Sequence, residues 1–265
     1  MNKGTSVRSR LLRYVNNQKK EDTHYLIASA ILENFTDIPK MTIYSLAEKC
    51  FVSTSSISRF IRIIGFNTYT DFKTASEEEI DISNDYAKEM LQSKIVKETD
   101  FIYDYTNNVI NNLSFFKENI PVSKIKSIVS DIHEADDVAF FGLEFAAFMG
   151  QHFQNKMASV DKIIQIGFTI EDQIKIAENL QPNSVALIFS VEGGFYYFHE
   201  KVVSILIKKK IKIITFTFKN SPIIERNAHE VLICGESNRN TEGRITILYV
   251  MEVIIYYYMK EFHLK

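Results

Sequence analysis

Five short apolar runs in the second half of the chain constrain the fold more than any other feature. They lie at 137–142, 162–167, 184–190, 211–218 and 230–235, and each is rich in Val, Ile or Phe. A strand with one wet face alternates apolar and polar residues, whereas a strand covered on both faces is apolar throughout. Between the runs lie segments of helical pattern near 144–158, 171–180, 196–210 and 222–228, with a last one through about 241–262. This alternation predicts a doubly wound parallel sheet, with right-handed crossovers placing helices on both faces. The most apolar stretch, 245–259, is shorter than the ~20 residues of a membrane span and has Glu252 in its middle, so a buried helix is expected there.

The rest of the chain must be something else. At 265 residues, with 46% hydrophobic and 24% charged side chains, it is long and apolar enough for two domains. Residues 1–75 read as several short helices and contain 11 Lys and Arg against 6 Asp and Glu, a net +5, while the remainder is net −7. A basic first third on an acidic body points to a polyanionic partner for that third. Residues 76–120 contain no Pro or Gly and are rich in Glu, Asp, Asn, Lys and Ser, which predicts a helical connector. The expected division is therefore 1–75, 76–120 and 121–265.

Cys50 and Cys234 fit neither a metal spacing nor a disulfide framework, and Met1 leads into Asn2, Lys3, Arg8 and Arg10 with no apolar run behind them. A cytoplasmic protein with no metal and no cofactor is expected; His152, His199 and His229 have no ligand spacing either.

Within the basic third, Thr42 is a plausible cap for a short helix whose Ile43, Leu46, Ala47 and Cys50 share one face. A turn through Phe51 and Val52 follows, and Ser53 caps a second helix that stops at Gly65. At about 100° per residue, Ile57, Phe60, Ile61 and Ile64 gather within roughly 50° of one direction, while Ser55, Ser58, Arg59 and Arg62 point the other way. Hydroxyls bond phosphates and base edges, and Arg grips guanine bidentately. Thr54, Ser55, Ser56, Ser58, Arg59 and Arg62 are the candidate DNA-binding residues of a helix lying in a major groove. The alternative for this face is plain solvation. Phe51 stands where such turns often have Gly, so either it adopts a costly positive φ or the turn differs in shape. Asp22 to Phe35 is expected to hold the preceding helix. Arg8, Arg10 and Arg13 form an N-terminal arm whose cations are expected in solvent, or else on phosphates.

These residues resemble the RpiR family of bacterial regulators. The matching features are Leu46-Ala47, Val52-Ser53, Arg59-Phe60 and Gly65-Phe66, continued by Tyr69 and Phe72-Lys73. The resemblance implies an all-α helix-turn-helix domain joined by the helical connector to an α/β sugar-isomerase (SIS) domain, with double-stranded DNA as partner and a homodimer or higher oligomer. The family's SIS domain typically senses a phosphorylated sugar through loops at the carboxyl ends of strands.

The corresponding loops here depart from the family pattern. Gly142-Leu143-Glu144-Phe145-Ala146 has Glu144 for a glycine and Ala146 for a serine. Ser190-Val191-Glu192-Gly193-Gly194-Phe195 has Glu192 for a serine and Phe195 for a threonine. A carboxylate 4 Å from a phosphate costs on the order of 1 kcal/mol in water and several in a partly buried pocket. Three readings stay open: a site that has lost its ligand in a dimerising domain, a different small ligand that is cationic or amino-bearing, or a sugar phosphate held by Ser190, Gly193, Gly194 and backbone donors. Glu144 or Glu192 at a helix start could also replace the phosphate from within. Asn220 is a candidate pocket residue, with a turn role as its alternative.

The function these features imply is a DNA-binding transcriptional regulator, not an enzyme, acting on genes of carbohydrate metabolism. The alternatives are a SIS-fold phosphosugar isomerase or binding protein with an accessory helical domain, and an adaptor that has lost DNA binding.

Overall fold

Capping side chains set the helix boundaries of the first half. In the computed structural model, which describes residues 6–17, 22–92, 98–238 and 241–264, the chain divides into two units, Thr5–Lys97 and Glu98–Lys265. The first contains α1 (Val7–Asn17), α2 (Thr23–Glu33), a 3₁₀ turn at Phe35–Lys40, α3 (Ile43–Lys49), α4 (Thr54–Ile63) and α5 (Tyr69–Gln92). The His24 N–H donates to Asp22 Oδ1 at the start of α2. Thr42 and Ser45 exchange side-chain and backbone bonds at the start of α3, and the Ser56 N–H donates to Ser53 Oγ at the start of α4. Each cap satisfies a backbone donor that a helix start leaves unpaired.

The two helices of the turn end alike. The Val52 N–H reaches the Ala47 carbonyl and the Phe51 N–H the Glu48 carbonyl, and Phe66 and Gly65 repeat the pattern on Ile61 and Arg62. Both ends are Schellman motifs, whose residue just past the cap must be left-handed. Gly65 takes φ +90° without strain, and Phe51 takes +55° with its side chain 96% exposed. Of the two options left open by the sequence, the structure selects the costly φ. Leu11, Ile27, Ile31, Leu46, Ile57, Phe60 and Phe72 bury completely and form one core.

The second unit begins with α6 (Glu98–Asn119) and α7 (Val122–Glu134), and then alternates strand and helix: β1 (Asp137–Gly142), α8 (Glu144–Ala158), β2 (Ile164–Ile166), α9 (Ile170–Asn179), β3 (Ser184–Phe189), α10 (Phe195–Phe198), α11 (Glu200–Lys208), β4 (Lys212–Thr217), α12 (Pro222–Asn227), β5 (Glu230–Ile233) and α13 (Gly243–Tyr258). The strands lie parallel in the order β2-β1-β3-β4-β5. Successive side chains of a strand serve opposite faces. Phe140, Phe189 and Phe216 stack on the face covered by α7, α8 and α13, while Ala139, Phe141, Ile188 and Ile213 pack under α9, α11 and α12. The predicted helical unit followed by a doubly wound parallel sheet is the observed architecture.

Three local outcomes differ from the sequence reading. Strand β2 keeps only three residues. The helix expected over 196–210 breaks at His199, whose φ −118° and ψ 37° separate α10 from α11. The segment read as a connector is helical in its described residues, but its two helices serve different cores: Ala75 and Ile80 of α5 pack in the first unit, and Phe116 of α6 packs in the second.

Two expectations follow from this packing. Replacing Phe51 by Gly removes the left-handed strain and no buried contact, so unfolding in denaturant should show a gain of about 1 kcal/mol. His199 is 2% exposed with neither ring nitrogen hydrogen-bonded, and its burial pulls the pKa down to about 4, against a smaller upward pull from Glu171. The unfolded chain therefore binds a proton that the folded chain refuses. Stability should fall as pH drops from about 6.5 to 4, by on the order of 3 kcal/mol, and a pH series of melting temperatures should be flatter for His199→Phe.

Candidate nucleic-acid interface and ligand loops

Helix α4 owes its orientation to its inward face. Ile57, Phe60 and Ile61 are buried, so Ser55, Arg59 and Arg62 must face solvent, and all three are exposed. Thr54, Ser56 and Ser58 are half-buried on the flanks. At the amino end the hydroxyls of Ser53, Ser55 and Ser56 bond one another at 2.7 and 3.0 Å. This is a rigid helix start of small donors with guanidiniums one and two turns further on, a surface that can offer both phosphate and base-edge contacts.

The N-terminal cations behave otherwise than expected. Arg10 is 7% exposed, and its Nη1 donates to the carbonyls of Ile64 and Gly65 at 3.1 and 3.4 Å. Arg8 lies over the Phe35 ring and pairs with Glu79 at 3.6 Å. The expectation of solvated side chains is corrected for both, because each has carbonyl, carboxylate or aromatic partners within its own unit.

In the second unit, parallel pairing aligns the carboxyl ends of β1, β3 and β4, with Gly142 opposite Phe189 and Phe189 opposite Phe216. The candidate ligand residues Gly142, Ser190, Glu192, Gly193, Gly194 and Asn220 lie in or next to the loops at this edge, where the strand order reverses between β1 and β3, the usual crevice of such sheets. Glu144 opens α8 there as well; its side chain lies outside the described residues. Gly142 ends β1 so close to the first turn of α8 that a Cβ would meet the Ala146 methyl at 2.6 Å. Its carbonyl accepts from Gln173 Nε2, which also reaches the Gly167 carbonyl and so ties the ends of β1 and β2.

The β3 loop buries its serine. Ser190 is 6% exposed, its N–H donates to the Phe216 carbonyl, and its hydroxyl accepts from the Phe195 N–H at 3.0 Å. Phe195, standing where the family has threonine, is fully buried. Gly193 adopts φ +75°, and the Gly194 carbonyl accepts from the N–H of Phe198, the last residue of α10. Glu192 does not fold back on the loop's own amides; its Oε1 accepts from Asn238 Nδ2 at 2.9 Å, on the loop before α13. Asn220 is exposed, accepts from the Ser221 N–H and donates to Glu225, all within the turn that starts α12.

Sequence reasoning missed the side chains that hold these loops. Asn112 of α6 is fully buried; its Oδ1 accepts from the N–H groups of Glu236 and Ser237, and its Nδ2 donates to the Ser237 carbonyl. Glu242 is fully buried too and accepts from Ser237 Oγ. No local pattern marked Asn112, whose partners lie more than a hundred residues away. No group of three or more His, Cys, Asp or Glu among the described residues could hold a metal, and no helix among them is long and apolar enough to cross a membrane.

Residues 9–83 match the model of the helix-turn-helix domain of the rpiR family. This unit is an rpiR-family helix-turn-helix domain. An uncharacterized HTH-type transcriptional regulator of Providencia stuartii is 21% identical over 180 residues, a match spanning 65% of this chain and 61% of that protein. The NanR protein of Vibrio vulnificus, solved in complex with ManNAc-6P, superposes with a TM-score of 0.55 at 17% identity, covering 96% of this chain and 92% of that one. The sugar isomerase domain of an RpiR transcription factor from Sphaerobacter thermophilus gives 0.52 at 16% identity, over 60% of this chain and 90% of that one. These likenesses show the fold: a helical unit is followed by an α/β unit with the architecture of a sugar isomerase domain.

Replacing Asn112 by Ala orphans two backbone donors and one acceptor at the β5–α13 loop. The variant should lose about 3 kcal/mol of stability, measured as a shift of the denaturant midpoint.

Proposed function

We propose that this chain is a DNA-binding transcriptional regulator. The observation that carries the reading is α4: the second helix of an rpiR-family unit, capped at both ends, with Arg59 and Arg62 exposed opposite a fully buried apolar face. Thr54, Ser55, Ser56 and Ser58 lie on the same outward half or its flanks, placed to bond phosphates while the guanidiniums read base edges. The protein works in the cytoplasm as a homodimer, since one copy brings one reading helix and two half-sites multiply affinity and selectivity.

The α/β unit pairs the copies and holds an effector at the carboxyl edge of its sheet. NanR of Vibrio vulnificus was solved with ManNAc-6P, and a sugar phosphate is the effector class that this fold suggests. Against strong phosphate binding stand the burial of Ser190, the buried Phe195 in place of a hydroxyl and the exposed Glu192 carboxylate. No reaction is assigned to the unit: the alternative of a phosphosugar isomerase would need an acid and a base poised over a sugar.

Selection from a randomised duplex pool, with and without a panel of sugar phosphates, tests both halves of the proposal. One duplex family should be enriched, with affinity falling steeply as salt rises. On that duplex Arg59→Ala should cost about 1–3 kcal/mol, concentrated at one base pair. No enrichment even at low ionic strength would refute the regulator reading.

A further inference from the structure

One contact in the first unit joins α1 to the end of a helix more than fifty residues further along the chain. Arg10 leaves the middle of α1 and inserts its guanidinium beneath the carboxyl end of α4, where Nη1 bonds the Ile64 and Gly65 carbonyls. Its charge faces the negative end of the helix dipole, and its Cζ lies 4.9 Å from the centroid of the Phe66 ring. The fit is close: a Cβ on Gly65 would sit 2.6 Å from Nη1 and displace the guanidinium, while the φ of +90° favours Gly there.

The other end of α1 is held from α5. Glu79 Oε2 accepts from the N–H groups of Val7 and Arg8, the first donors of the helix, and Oε1 pairs with the Arg8 guanidinium. A carboxylate at the amino end and a cation reaching a second helix's carboxyl end are each the charge that the local dipole favours. Helix α1 is thus a strut: its start is fixed by the helix that runs to Gln92, near the end of this unit, and its middle grips the end of the helix that presents Arg59 and Arg62.

We propose that Arg10 and Glu79 are positioning residues that set the angle at which α4 is presented to DNA, and that α1 passes displacements of α5 to it. The proposal rests on the reading of α4 as the recognition helix. Neither residue needs to touch nucleic acid. Arg10 anchors the carboxyl end of α4, so loosening it tilts the helix about its capped start, and a tilt disturbs base contacts before it disturbs phosphate contacts.

The test compares the full-length wild type with Arg10→Met, Arg10→Lys, Glu79→Gln and the Arg10→Met/Glu79→Gln pair. The probes are the duplex enriched by the wild type and a scrambled duplex, at a temperature where circular dichroism shows the compared proteins folded. Arg10→Met should bind the enriched duplex on the order of tenfold more weakly and the scrambled duplex less than twofold more weakly. The slope of log affinity against log salt should stay unchanged, whereas loss of a phosphate contact lowers it by about one. Arg10→Lys, which restores one donor and the charge, should recover part of the selectivity. The losses of the paired variant should fall short of the product of the single losses, as expected of one connected strut. If Arg10→Met does not fold, Glu79→Gln, which leaves Arg10 in place, makes the same comparison.

Wild-type selectivity in folded Arg10→Met, or equal loss on both duplexes with a lowered salt slope, overturns the positioning role while leaving the regulator reading intact. Independent, multiplying losses overturn the link through α1. A wild type that enriches no duplex overturns the reading of α4 itself, and this proposal with it.

Discussion

The first unit depends on the burial of one side of α4. Ile57, Phe60 and Ile61 together remove enough apolar surface from water to contribute roughly 2 kcal/mol each. That contribution fixes how the helix is rotated about its axis. A rotation of one residue's worth would bring a guanidinium against the core and an isoleucine into water, each at a cost larger than any outward contact could offset. The outward display of Ser55, Arg59 and Arg62 follows from the inward packing. The caps at Ser53 and Gly65 then fix where the display begins and ends.

In the α/β unit the same logic applies to loops. Parallel strands covered on both faces place their carboxyl ends side by side, and whatever occupies those loops is held from beyond the loop itself. Gln173 ties the ends of β1 and β2, Asn112 holds the loop after β5, and Asn238 links Glu192 to the start of α13. These bonds preorganise the edge. They also engage polar groups that would otherwise be available to a ligand, as the Phe195 N–H shows by donating to the Ser190 hydroxyl.

Much of the fold was legible in the sequence because it is written in local periods. The five apolar runs gave the strands to within a few residues, the i, i+3, i+4 spacing gave the faces of α3 and α4, and Thr42, Ser53 and Gly65 marked the helix limits. Less was legible where two local rules compete. Phe51 broke the usual turn composition, and only the backbone shows that the Schellman bonds outweigh its strain. His199 sits in a run that reads as one helix, and only the structure shows the break there.

The sequence by itself determined which residues face inward along each element, the order of helical unit and parallel sheet, and the polar composition of the face that α4 presents. The tertiary structure decided which charges are structural. Arg10 and Arg59 have similar local surroundings in the sequence, yet one is buried against helix-end carbonyls and the other stands in solvent. Glu192 and Asn112 likewise acquired their partners from segments 46 and more than a hundred positions away. The physical reason is range. Periodicity and capping act within a turn or two of the chain, whereas the fate of a long polar side chain depends on which distant carbonyl or amide the packing of the core brings within hydrogen-bonding distance of it.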